Sequence, residues 1–261
     1  MTNPTDTLSA KADFIRRDLF ETAMRGKAGH IAPSLSCVDI LVALYYQVMN
    51  GDDHFILSKA HGCYAYYSIL ADLGKLPENE WRNFYGTSRL PGCAERIPEW
   101  GIEAGCGALG HGLPLAAGWA WAKKLSGEPG RIFCLAGDGE MQEGSNYEAL
   151  QLASFQKLDN LFLIIDGNRL QAMDLLEKVL GPEDQEQDFH GKMTAFGCEF
   201  HVCNGHDIRQ IAEVISGAGS RGRPVAIYAK TIKGYGLKAI ENKAQFHFRL
   251  PDDDEINGGW R

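Results

Sequence analysis

The sequence has no block of lysine and arginine, and 26 basic against 34 acidic residues leave a net charge of −8. A nucleic-acid-binding face needs a clustered basic stripe, so nucleic acid is not an expected partner. No apolar run approaches the ~20 residues that cross a bilayer. The stretch from Met1 to Thr7 lacks the basic-then-apolar order of a secretion signal. Internal repeats, low-complexity tracts and linker-like segments are also missing. The cysteines are seven, an odd number, and scattered, so they read as reduced thiols rather than as a disulfide framework. These absences predict a cytoplasmic globular protein. What is present fits that class: 44% hydrophobic and 23% charged residues over 261 positions. We read residues 1–261 as one domain.

Apolar residues at Leu8, Ala12, Ile15, Leu19 and Ala23 form a helical stripe that Gly26 ends. Further helices are expected over 36–49, from about 63 to Gly74, over 77–84, 109–125 and 207–218. The apolar runs 131–136, 161–165, 199–203 and 224–231 read as buried strands, with a shorter one at 54–57. Residues 86–106, rich in glycine and proline, read as a long irregular segment, and loops of that length are usually functional. The tail from Pro251 to Glu255 reads as the start of a helix. Strand and helix alternate through the second half, which predicts an α/β fold: a doubly wound, mainly parallel sheet with helices on both faces.

Two strands end in polar residues amid glycine. The run 131–136 leads into Gly137, Asp138, Gly139 and Glu140, and the run 161–165 into Asp166, Gly167 and Asn168. With a helix-length segment between them, both ends should emerge at one edge of a parallel sheet, where open α/β sheets bind ligands. A carboxylate and a carboxamide suit magnesium, which prefers oxygen and commonly shares it with phosphate. The glycines let the backbone approach an anion, and the following helix is expected to turn its N-terminal amides toward it. A plain helix cap at Asp138 is the alternative. Cys198, His201, Cys203 and His206 have a zinc-like spacing, but strand alternation sends them to opposite faces, and Asp207 then reads as the N-cap of the next helix.

Gly137, Asp138 and Gly139, then about 28 residues, then Asn168, is the thiamine diphosphate signature. The longer run from Gly137 to Leu150 resembles the transketolase family. Gly29 and His30, residues 57–62, 107–112 and 204–207, and Lys230 to Gly236 match that family in order. The resemblance implies that Asp138, Asn168 and the carbonyl of Leu170 hold Mg2+ (or Ca2+ or Mn2+). It implies that His61, Gly139, Glu140 and His247 contact the diphosphate or line its pocket, and that Gly107, Ala108 and Leu109 hold the aminopyrimidine. His30 is placed near the reactive carbon, and Glu143 in a dimer interface that links paired sites. Read alone, Glu143 is an acid in the first turn of a helix, and His61 a turn residue. His247 is flanked by Phe246 and Phe248, where the family has a small residue next.

The implied reaction moves a two-carbon ketol unit from a ketose, free or phosphorylated, to an aldose acceptor. Cys93 stands where the family has a histidine that recognises the donor, and His111 where it has glutamine, so the donor is expected to differ. The family also has a second α/β domain, which this length does not accommodate. The resemblance therefore implies the N-terminal subunit of a split transketolase, completed by a C-terminal subunit in an α2β2 assembly. Three alternatives remain at this point: the alpha subunit of a 2-oxo-acid dehydrogenase, a deoxyxylulose-phosphate-synthase-like enzyme, and a non-catalytic scaffold subunit.

Overall fold

The computed structural model describes residues 4–219, 221–256 and 259–260. Its elements, in order, are α1 (Pro4–Gly26), α2 (Ile31–Ser36), α3 (Val38–Ala43), β1 (His54–Leu57), α4 (Cys63–Asp72), α5 (Glu78–Arg82), α6 (Gly112–Ser126), β2 (Ile132–Gly137), α7 (Gly144–Phe155), β3 (Leu161–Gly167), α8 (Leu176–Val179), α9 (Gln185–Ala195), β4 (Glu199–Asn204), α10 (Ile208–Gly217), β5 (Val225–Lys230) and α11 (Asp253–Ile256). Among the described residues, five strands form one sheet in the order β1-β2-β3-β5-β4. Every pairing is parallel.

All seven residues of β3 are buried, as are the first five of both β2 and β5. Successive strand residues point to opposite faces, so burial of every residue means that both faces are covered. This is the expected α/β architecture. Among the covering helices, α6 packs on β1, β2 and β3, α9 on β4 and β5, and α10 on β4. No helix among the described residues is long and apolar enough to cross a membrane.

Several local expectations change. The helix expected over 36–49 starts at Ile31, breaks at Cys37 and finishes as a π-turn over Leu44–Val48. Pro33 is tolerated because it lies in the first turn of α2, where its missing N–H costs no intrahelical bond. The helix after Gly139 does not start at once. A 3-10 turn, Glu140–Gln142, and an extended Glu143 come before α7. The amide of Gly139 is therefore not the start of a long helix, and it bonds the Asp138 carboxylate at 2.8 Å. Helices α8 and α9 lie in a polar stretch that shows no strong apolar period. The 86–106 segment is irregular as expected. Its Glu103 ties it to β1 by accepting from the Phe55 amide and pairing with the His54 ring at 2.8 Å.

Candidate functional site

β2 and β3 are neighbours with Gly137 opposite Asp166, so the residues after each strand emerge side by side. The Asp138 carboxylate accepts the amides of Gly139 at 2.8 Å and Arg169 at 2.5 Å. The Asn168 side-chain oxygen accepts the Leu170 amide at 3.1 Å. Arg169 sits at φ +63°, an uncommon conformation for a side-chain-bearing residue, and this turns the loop back over Asp138. Burial, with the nearby Asp166 charge second, pushes the Asp138 carboxyl up to about 7, against the pull of two amides and Lys59.

Asp138 and Asn168 open onto a cavity of about 350 Å3, which His30, His61, Lys233 and His247 also line. The three histidine rings are mutually packed, with centroids 5.4 Å apart for His30 and His61, 5.2 Å for His30 and His247, and 5.3 Å for His61 and His247. Each comes from a different break in the fold. His30 follows the left-handed Gly29 and precedes α2, His61 lies in a 3-10 turn after β1, and His247 ends a 3-10 turn over Ala244–His247. Burial and neighbouring lysines lower all three: His30 below its ordinary value, His61 well below, and His247 to about 3. They are neutral imidazoles, each with one donor and one acceptor nitrogen. Among the described residues, the Nδ1 of His30 is buried without a hydrogen-bond partner.

Two lysines complete the site, and neither stands out in the sequence. Lys59, 1% exposed, ion-pairs with Asp166 and donates to the carbonyl of Pro33 at 2.8 Å. Asp166 also accepts from Ser36 at 2.6 Å and from Thr231. Burial works against both charges, yet their mutual attraction wins, holding Lys59 above and Asp166 below the usual value. Lys233 places its ammonium 2.7 Å from the Leu170 carbonyl, 3.1 Å from that of Gln171 and 2.7 Å from the His247 Nδ1. Burial, then the Lys59 charge, pushes it down to about 7. The signal that could have found Lys59 is a cation immediately after an apolar strand, where nothing local can neutralise it.

The remaining expected residues are spread more widely. Gly107 and Leu109 line the cavity as an exposed rim, whereas Ala108 is exposed beside them and not part of the lining. Glu140 lines it too, but its carboxylate is already engaged by the Ser58 hydroxyl at 2.5 Å and the amides of Gly110 at 2.9 Å and Gly137 at 3.1 Å. It therefore clamps the 107–110 loop to the end of β2. Glu143 lies outside the cavity, exposed, next to Gly110 and Ser145. Cys93 is on the cavity wall, and His111 lies in a separate groove between α6 and α7. His201 pairs with Glu199 and His206 with Asp39, and no cluster of three metal-ligating side chains occurs among the described residues.

The residues fit a hard cation carrying a diphosphate. Asp138, Asn168 and the Leu170 carbonyl are oxygen donors of the kind magnesium takes. At Gly139 an added Cβ would come 2.9 Å from Cγ of Gln171, so a side chain there would crowd the loop that carries Asn168 and Leu170.

Residues 9–258 match the family model described as transketolase, thiamine diphosphate binding domain. The chain is 40% identical over 263 residues to one of the named subunits of the apulose-4-phosphate transketolase of Actinobacillus succinogenes, covering 96% of this chain and 94% of that one. It is 32% identical over 252 residues to the 6-deoxy-6-sulfo-D-fructose transketolase subunit SqwG of a Clostridium species, covering 92% and 90%. Its fold is similar to the transketolase structure from Campylobacter jejuni, with a TM-score of 0.87 at 27% identity, over 98% of this chain and 42% of that one. The chain thus matches some relatives nearly end to end and spans about two-fifths of the last. Sequence, fold and the oxygen-lined cradle agree: the chain belongs to the transketolase family, as its N-terminal, thiamine diphosphate-binding domain.

Proposed function

We propose that the chain is the N-terminal subunit of a two-chain transketolase that moves a two-carbon ketol unit from a ketose to an aldose acceptor. The observation that carries this reading is the convergence of Asp138 and Asn168 with three neutral histidines around one cavity. Thiamine diphosphate, when bound, supplies the electron sink for breaking the bond beside the donor carbonyl. The chain's own residues do the rest. Asp138, Asn168 and the Leu170 carbonyl hold Mg2+, with Ca2+ or Mn2+ as substitutes. His61, His247 and Lys233 face the diphosphate, and Gly107 to Leu109 border the aminopyrimidine. His30, on the cavity wall, accepts or returns a proton at the sugar.

The site is open at its 107–109 rim, where a C-terminal subunit would supply the other half of the cofactor pocket. Relatives of matching length are named as transketolase subunits rather than as whole transketolases, which supports a separate partner. We propose an α2β2 assembly in which Glu143, exposed in the single chain, is buried between subunits. Residues 1–261 act as one domain, in the cytoplasm. The donor class is a ketose other than the common pentose-pathway sugars, since Cys93 lines the wall where a larger, polar imidazole is expected. Intact ligands and transketolase-named relatives speak against the 2-oxo-acid dehydrogenase, deoxyxylulose-phosphate-synthase-like and scaffold alternatives.

The test is co-expression with the partner chain, followed by assay of ketose and 2-oxo-acid donors with an aldose acceptor. Ketol transfer by the pair and not by either chain alone is expected. Turnover of the 2-oxo acid, or full activity from this chain alone, would overturn the reading.

A further inference from the structure

His206 lies beyond the cavity, in the turn that follows β4, yet it holds the segment that delivers Lys233. Its own position is fixed: the His206 amide bonds the Asn204 side chain at 3.0 Å, and Gly205 donates to the Lys230 carbonyl at 2.8 Å. The imidazole Nε2 accepts the amide of Ile232 at 2.9 Å, and Nδ1 lies 2.8 Å from the Asp39 carboxylate. A backbone amide can only donate, so Nε2 carries the lone pair and Nδ1 the proton that goes to Asp39. The ring stacks on Tyr235 at 3.5 Å with planes 15° apart. Asp39, 4% exposed on α3, is held in turn by Arg16. Both ring nitrogens and one ring face are therefore committed, a degree of fixation that a chance surface histidine does not show.

What this fixes is the crossing from β5 into the cavity. Thr231 reaches Asp166, Ile232 is held by His206, Lys233 reaches the Leu170 and Gln171 carbonyls, and Gly234 donates to the Ala32 carbonyl at 3.0 Å. Ile232 is the link between the outer anchor and Lys233. We propose that His206 is a positioning residue for cofactor loading. Through the Ile232 amide it sets the path of residues 231–234, and so the placement of the Lys233 ammonium against the loop that carries Leu170. The inference rests on the reading of this cavity as the thiamine diphosphate site.

Two conservative variants separate the two ring contacts. In His206→Gln the amide oxygen reaches the Nε2 position and can accept from Ile232. In His206→Asn the shorter amide reaches only the Nδ1 position, keeping Asp39 and losing Ile232. Calorimetry of the complex with the partner chain, with Mg2+ present, should show thiamine diphosphate affinity about tenfold weaker for His206→Asn and within about twofold of wild type for His206→Gln. In a Lys233→Met background His206→Asn should weaken binding no further, because the residue acts through Lys233. Hydrogen exchange on the folded chain alone should show faster exchange over residues 231–235 in His206→Asn and not in His206→Gln. Equal affinities, equal exchange or additive effects with Lys233→Met would each overturn the positioning role while leaving the cofactor reading intact. Absence of Mg2+-dependent binding by the wild-type complex would remove both.

Discussion

Asp138 and Arg169 meet across the ends of neighbouring strands, the carboxylate accepting the backbone amide at 2.5 Å. The residue assigned to the metal therefore also shapes the loop that presents Asn168 and Leu170. In Asp138→Asn the side-chain oxygen can still accept one of the two amides, the other then faces the NH2 group, and the charge is gone. Since burial already pushes the carboxyl up to about 7, the fold loses little by its neutralisation. The variant should keep or raise Tm while Mg2+-dependent cofactor binding weakens by about 100-fold or more. Thermal melting beside calorimetry checks this, and a variant that unfolds, or that binds normally, contradicts it.

The histidine cluster sets an acid limit on stability. A histidine held below its unfolded value contributes stability that is complete above about pH 6.5 and is lost as pH falls toward its folded value. That folded value is about 3 for His247, and lower than usual for His30 and well below for His61. Tm of the cofactor-free chain should therefore fall as pH drops from 7 toward 5, and His61→Asn should flatten the fall. Ring proton resonances of His61 and His247 should not titrate between pH 8 and 5. Titration of either near 6.5 would contradict the buried, neutral assignment.

Lys59 and Asp166 are 1% and 0% exposed, and each is the other's counter-charge. Removing one leaves an unpaired charge in the interior, which costs about 3–5 kcal/mol. Lys59→Met should lose that much in urea unfolding. The double variant Lys59→Met with Asp166→Asn should lose much less than the sum of the singles, and simple additivity would show that the pair does not act as a unit.

Gly29 orients His30 from a backbone φ of +109°, and an added Cβ would lie 2.3 Å from the Tyr64 ring. Strain and overlap act together, so Gly29→Ala should destabilise by about 1–3 kcal/mol. Denaturant midpoints check the magnitude, and a neutral change would mean that Tyr64 can move aside freely.

The sheet edge that carries Asp138 and Asn168 is readable because two apolar runs, each ending in glycine and a polar residue, fix both the strands and the edge they share. Asp207 is equally legible: its carboxylate caps α10 by accepting from Gln210 at 3.0 Å, as a helix-starting aspartate does. α9 is not, although Asp184 caps it in the same way through Gln187 at 3.0 Å. Its apolar face holds only Phe189 and Met193, too few for a period to appear. Lys59 and Lys233 are hidden for a different reason. A buried cation is decided by partners far away in sequence, Asp166 and Leu170 here, and only the place of Lys59 just past an apolar strand hints at it. The interface role of Glu143 comes from resemblance, and the single chain leaves the residue exposed.

The network around Asp166 also constrains the order of assembly. It joins Ser36, Lys59 and Thr231, which come from α2, the turn after β1, and the end of β5. Contacts of such wide sequence separation form slowly, because long loops must close before they are rewarded. The cavity floor can exist only after the first and last strands have joined the same sheet. A nascent or partly folded chain therefore cannot hold the cofactor, and cofactor capture, by mass action, draws the population toward the completed chain.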